Sequence, residues 1–145
     1  MTTFQSEIII NAPAAKVWQL LTDFSSYAAW NPFLVTIKGD AVAGGPLTIT
    51  AKLSRLPSLT FDATIRMCES PTKLGWDAIF LKGVFEAFHH FAIDDIKGAG
   101  ECQCRFIHTE EFSGIFSNLV LFVLESKFKQ GYGAMNEALK RMAEK

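Results

Sequence analysis

From Leu47 to Phe112 apolar and polar residues alternate with a period of two, one segment after another; between Phe116 and Lys145 the period lengthens to three-to-four, without a proline. Side chains of a strand point alternately to opposite faces, whereas a helix gathers residues three and four apart on one side. Leu47, Ile49, Ala51 and Leu53 oppose Thr48, Thr50 and Lys52. Leu59, Phe61, Ala63, Ile65 and Met67 oppose Thr60, Asp62, Thr64 and Arg66. Leu74, Trp76, Ala78 and Phe80 form the next inward set, followed by Phe85, Ala87, His89, Phe91 and Ile93 within a strand spanning Val84 to Asp94. Cys102, Cys104, Phe106, His108, Glu110 and Phe112 share one face of a last strand, Glu101 to Phe112. Turn residues separate these runs at Pro57-Ser58, Ser70-Pro71-Thr72, Lys82-Gly83 and Lys97 to Gly100. Short turns between consecutive strands make an antiparallel meander.

A sheet with one apolar face must have that face covered. The final stretch is the one segment long enough to do so, with Leu121, Leu124, Phe128, Met135, Leu139 and Met142 at helical spacing. Lys140, Arg141 and Lys145 suit the negative end of its dipole. Gly131 and Gly133 interrupt it, lowering helix propensity while allowing close approach to the sheet. Ahead of the meander, Phe4 to Asn11 reads as a strand. Asn11 offers a helix cap and Pro13 a pre-set first turn for a short helix ending near Asp23. Phe24 to Trp30 forms a second helical turn, which Asn31-Pro32 ends. Phe33 to Lys38 is a strand, and Gly39 to Pro46 a loop. The expected architecture is α+β of helix-grip type: a curved antiparallel sheet wrapped around a long C-terminal helix, with two short helices after the first strand. At 145 residues it fits one domain, 1–145.

Composition narrows the function. Lys and Arg number 14 against 15 Asp and Glu, a net charge of −1, so no basic footprint for nucleic acid is expected. Phe occurs 13 times against 2 Tyr and 3 Trp, which suits a large core or a cavity for a greasy ligand. The odd set Cys68, Cys102 and Cys104 points to a reducing compartment, and its spacing is not that of a zinc site. Asp94-Asp95 reads as a turn cluster with too few ligands for calcium. Met1 to Gln5 shows no signal peptide, and the longest apolar run, Leu119 to Leu124, is too short to span a bilayer. A soluble, cytoplasmic chain without stable membrane insertion is the expectation. Phosphate loops, nucleophile elbows, zinc-protease and dinucleotide motifs are absent, so neither cofactor nor metal is expected.

The segment Ile10-Asn11-Ala12-Pro13-Ala14-Ala15-Lys16-Val17-Trp18, then Leu21-Thr22-Asp23-Phe24 and Trp30-Asn31-Pro32-Phe33, resembles the N-terminal signature of the START-like superfamily, also known as polyketide cyclase/dehydrase and lipid transport or SRPBCC. The resemblance continues in Leu74-Gly75-Trp76, His89-His90-Phe91, Glu110-Glu111-Phe112-Ser113-Gly114 and Asn136-Glu137-Ala138-Leu139-Lys140, and so covers nearly the whole chain in order. It implies the helix-grip fold and a deep apolar cavity under the last helix. Its members include lipid carriers, hormone receptors, aromatase/cyclases and chaperone activators, among which fold alone does not choose.

Polar residues on inward faces are the candidates for chemistry. If the last two strands form a hairpin, His89, His108 and Glu110 come together. A buried carboxylate needs a partner, and a His–Glu contact supplies one. Such a set is either a structurally paired group, an anchor for one end of an apolar ligand, or an acid/base pair. Trp30, next to the Asn31-Pro32 turn, either lines a cavity mouth or packs that turn. Phe61, Trp76, Phe80, Phe85, Phe91 and Phe106 serve as core or cavity lining. His90 should face outward. Glycine content marks the Gly83 loop and the Gly114–Asn118 connection as possible gates. The preferred function is binding, and possibly transport, of a hydrophobic small molecule or lipid. The alternatives are a cyclase/dehydratase-like enzyme and a protein-interaction module with a filled cavity.

Overall fold

A computed structural model describes residues 1–97 and 102–145. The elements run β1 (Thr2–Ile10), α1 (Ala14–Thr22), a 3₁₀ turn (Phe24–Ser26), α2 (Tyr27–Trp30), β2 (Leu34–Lys38), β3 (Pro46–Ala51), β4 (Leu59–Glu69), β5 (Lys73–Leu81), β6 (Phe85–Ile96), β7 (Gln103–Ser113) and α3 (Ser117–Ala143). Among the described residues seven strands form one antiparallel sheet in the order β1-β7-β6-β5-β4-β3-β2. The meander is thus complete from β2 to β7, and β1 closes it on the far side of β7. The expected turn at Lys97 to Gly100 and the first residue of the last strand, Glu101, fall largely outside the described residues.

The period-two pattern fixes which face is buried. Ile49, Ile65, Trp76, Phe91, Phe106 and Phe112 are almost completely withdrawn from solvent. One end of this core is closed by edge-on and stacked rings, Phe24 on Trp76, Trp76 on Phe91 and Phe91 on Phe106, at centroid distances of 6.3, 5.5 and 5.4 Å. At the other end a second ring path runs from Phe61 through Phe80, Phe85 and Phe112 to Phe128. Helix α3 is tied down at its C-terminal end: Asn11 N–H donates to Glu144 Oε2 at 2.7 Å, and Lys140 Nζ to the Ile9 carbonyl at 2.8 Å. Its N-terminal half leaves Leu119, Phe122 and Val123 exposed.

Three local expectations are corrected. Asn11 does not cap α1. The N-cap is Pro13, and the free Ala14 N–H donates instead to Asp95 Oδ1 at 3.1 Å. Asp94 and Asp95 are not in a turn, because β6 continues through them, paired with Arg105 and Cys104 of β7. Ladder pairing overrides their weak strand propensity, and the cap of α1 comes from a residue 81 positions away. The strand over Leu47 stops at Ala51, short of Leu53.

Both helix glycines can be assigned by what surrounds them. A Cβ at Gly131 would lie 2.5 Å from Phe33 Cδ1, so the absent side chain lets α3 seat against that ring. At Gly133 a Cβ would meet nothing within 4 Å. Gly133→Ala should therefore raise stability by about 1 kcal/mol through helix propensity alone. Gly131→Ala should lower it, since overpacking costs about 1–3 kcal/mol. Urea denaturation of both variants checks this; equal shifts would show that α3 does not rest on Phe33.

Candidate functional site

Strands β6 and β7 pair so that His89 lies opposite Glu110, and Phe91 opposite His108. Their inward side chains meet those of α3 in a chain of hydrogen bonds and one ion-pair contact. Tyr132 donates its hydroxyl to Glu110 Oε1 at 2.6 Å. Glu110 Oε2 faces His89 Nδ1 at 3.1 Å. His89 Nε2 and His108 Nε2 are 2.6 Å apart, and His108 Nδ1 lies 2.9 Å from Asn136 Oδ1. Asn136 Nδ2 donates to Ser6 Oγ of β1 at 2.9 Å. His89, His108 and Glu110 are 3%, 0% and 5% exposed, so each depends on these partners rather than on water.

The bond directions follow from the far end. Because Asn136 Nδ2 is turned to Ser6, its Oδ1 meets His108, and His108 must donate from Nδ1. Burial, reinforced by neighbouring His89, holds His108 well below its usual 6.5, so the ring is neutral and Nε2 is a bare acceptor. His89 must then donate from Nε2. His89 Nδ1 then faces Glu110 Oε2 across a buried ion-pair contact of 3.1 Å. Burial, with the charge and hydrogen bond of Glu110, raises the Tyr132 phenol far above its usual 10, so it remains a donor. Trp76 stacks on His89 at 5.4 Å and 19°, fixing the ring plane.

One end of this chain faces a cavity of about 430 Å³. Its wall comes from Phe33, just before β2, Leu34 of β2, Ala51 of β3, Phe61 of β4, Phe80 of β5, Phe85 and His89 of β6, Glu110 of β7, and Val120, Leu124 and Phe128 of α3. The β3–β4 connection adds Leu53, Leu56 and Pro57, and β4 adds Leu59 and Thr60. Pro57, Leu59 and Thr60 are exposed, so the mouth opens here. Lys127 of α3 donates to the Ser54 carbonyl at 2.6 Å and ties this connection to the helix.

Of the residues singled out from the sequence, Phe61, Phe80, Phe85, His89 and Glu110 stand on the cavity wall. His108 lies one layer behind, in contact with His89. Trp76, Phe91 and Phe106 pack the closed end of the core. Trp30 sits on α2 against Tyr27 and donates to Ser26 Oγ, away from the wall. His90 is on the outer face, 3.0 Å from Glu111. The Gly83 and Gly114–Asn118 segments do not line the cavity. They are stitched to each other, Ile115 N–H to the Gly83 carbonyl and Phe116 N–H to that of Val84, both at 3.1 Å. Sequence reasoning missed Tyr132 and Asn136. Two polar residues four apart on the apolar stripe of α3 were the available signal. Among the described residues no group of three His, Cys, Asp or Glu is placed to hold a metal ion.

The family model for polyketide cyclase / dehydrase and lipid transport matches residues 1–144. The chain belongs to this family. No curated protein matches it. Among solved structures, the Zhui aromatase/cyclase from Streptomyces sp. R1128 superposes with a TM-score of 0.76 at 14% identity, covering 99% of this chain and 93% of that one. Norcoclaurine synthase from Thalictrum flavum, in complex with dopamine and hydroxybenzaldehyde, gives 0.71 at 12% identity, with 97% and 85% covered. The di-domain ARO/CYC BexL from the BE-7585A biosynthetic pathway gives 0.74 at 14%; the chain spans 99% of its own length and 50% of BexL. At these identities the likeness is one of fold, and it shows the helix-grip architecture. No helix among the described residues is long and apolar enough to cross a membrane.

The neutral state of His108 carries a pH dependence. His89 and Glu110 of the sheet, Tyr132 and Asn136 of α3, and Ser6 of β1 surround this network. Once unfolded, His108 takes up a proton near 6.5; folded, it does so only at much lower pH. The unfolded state therefore binds more protons as pH falls below about 6.5, and stability declines there. His90, also lowered by burial, acts in the same direction. Denaturation midpoints should fall between pH 7.5 and 5.5, and fall less in His108→Gln. An equally steep fall in that variant would assign the effect elsewhere.

Proposed function

We propose that this protein binds a hydrophobic small molecule or lipid inside the cavity, with the Glu110–His89 pair at the ligand's polar end. The observation that supports this most is an unfilled space of about 430 Å³, walled by aromatic and aliphatic side chains apart from His89, Glu110 and Thr60. That size lies within the range of small-molecule sites. The family's description, which includes lipid transport, is in keeping with the reading. A protein-interaction module fits less well, since it should have its cavity filled by side chains.

Native mass spectrometry of the purified protein should reveal a bound apolar compound, identifiable after organic extraction. Ala51→Trp places a large ring on the wall and should abolish that adduct while the circular dichroism spectrum stays unchanged. An adduct that persists in Ala51→Trp would place the ligand elsewhere, and loss of the fold would call for Leu124→Trp as the blocking variant.

A second reading is favoured by one specific feature, the His89 Nδ1–Glu110 Oε2 contact at the cavity wall. A carboxyl group so placed can take a proton from a bound hydroxyl or from an acidic carbon of the ligand, as a cyclase/dehydratase-like reaction requires. Under that reading Glu110→Gln should lower turnover by about 10²-fold or more with little change in Kd. Under the carrier reading it changes affinity alone. Turnover and binding measured on the same extracted ligand separate the two.

A further inference from the structure

The internal contacts of the cavity's polar end determine what it has left for a ligand. His89 reaches the wall with Nε2 engaged by His108 and with Nδ1 at an ion-pair distance of 3.1 Å from Glu110 Oε2. Glu110 receives Tyr132 on Oε1 and faces His89 with Oε2. The other polar residue of the wall, Thr60, stands at the exposed mouth with its hydroxyl 2.9 Å from that of Thr50. Among the described residues, every side-chain donor that His89 can present at the inner end thus lies beside an acceptor of the same network, Nδ1 beside Glu110 and Nε2 beside His108. What remains are the second lone pairs of the two Glu110 oxygens, since each carboxylate oxygen accepts more than one hydrogen bond.

From this we infer that the cavity selects apolar ligands whose buried end carries a hydroxyl donor, such as a phenol or a fatty alcohol, over ligands ending in a ketone, aldehyde, ester or carboxylate. A hydroxyl donates to Glu110 and keeps its hydrogen bonding after leaving water. A carbonyl oxygen arrives opposite acceptors, loses its water and gains no partner. A carboxylate meets the same acceptors with a charge as well. The surrounding rings, Phe33, Phe61, Phe80 and Phe85, accept the rest of such a molecule without further polar demands. This assignment rests on the cavity being the binding site, and it adds the chemical class of the ligand's buried group.

The test uses three probes of nearly the same shape on the native protein at pH 7: 2-naphthol, 2-fluoronaphthalene and 2-naphthaldehyde. Isothermal titration calorimetry reads the affinities, with Ala51→Trp and Leu124→Trp as blocked controls. The expected result is that 2-naphthol binds roughly tenfold or more tightly than either analogue, and that binding is lost in a folded blocked variant. Glu110→Gln, whose amide supplies a donor, should narrow or reverse the gap to 2-naphthaldehyde. Equal affinities, or an aldehyde preference in the native protein, with binding still lost on blocking, would overturn the donor rule while leaving the cavity as the site. Binding by none of the probes, or binding indifferent to both blocking variants, would overturn the cavity reading and this inference with it.

Discussion

A line of polar groups crosses the molecule from Tyr132 through Glu110, His89, His108 and Asn136 to Ser6. It joins α3 to β7, β6 and β1 inside an otherwise apolar interior. Each member is held by the next, and removing one would leave a buried donor or acceptor without a partner, at a cost of about 1–3 kcal/mol. Apolar packing alone would allow α3 to slide or turn over the sheet. The fixed donor and acceptor directions give the helix one register, with Phe128 toward the cavity and Met135 and Leu139 toward the closed end. The polar chain thus acts as a locating device for the cavity's roof, and its end at the cavity is also the cavity's only buried polar wall among the described residues.

The same sheet face does two different jobs because of how side-chain size and the helix axis vary along it. Around Trp76, Phe91 and Phe106 the large rings fill the gap between sheet and helices, with α1 adding Val17 and Leu21. Toward the N-terminal half of α3 no short helix covers the sheet, and the rings of Phe61, Phe80, Phe85 and Phe128 line a space rather than fill it. Gly131 marks the transition. It admits Phe33 against the helix backbone, and Phe33 stands between His89 and Tyr132, with ring centroids 6.2 and 5.5 Å away. A change at this glycine would reach the polar line through that ring.

The outer face of the sheet is built differently. Arg66 pairs with Asp77 through two hydrogen bonds and lies 3.6 Å above the Phe88 ring, while His90 pairs with Glu111. The Arg66–Asp77 pair is solvent-exposed and contributes little by itself, whereas the His90–Glu111 pair is part-buried. They cover apolar surface and leave the sheet's chemistry to its concave side.

Much of this could be read along the chain. Period-two alternation placed Phe61, Phe80, Phe85, His89 and Glu110 on inward faces, and the period change at Phe116 marked the covering helix, because side-chain direction in a strand or helix is a local property of the backbone. The same locality explains what remained hidden. Which inward residues line space and which pack solidly depends on how far the helix stands from each strand, so Phe61 and Phe106 look alike in sequence and differ in the fold. The hydrogen bond from Ala14 to Asp95, and that from Tyr132 to Glu110, join residues 81 and 22 positions apart. The directions of the two His108 bonds are set at the far end of the line, by Asn136 turning its amide to Ser6. The sequence by itself determined the elements, their faces and the polar residues available. The tertiary structure alone decided their pairing and the volume beside them, because those depend on distances between segments that no local pattern encodes.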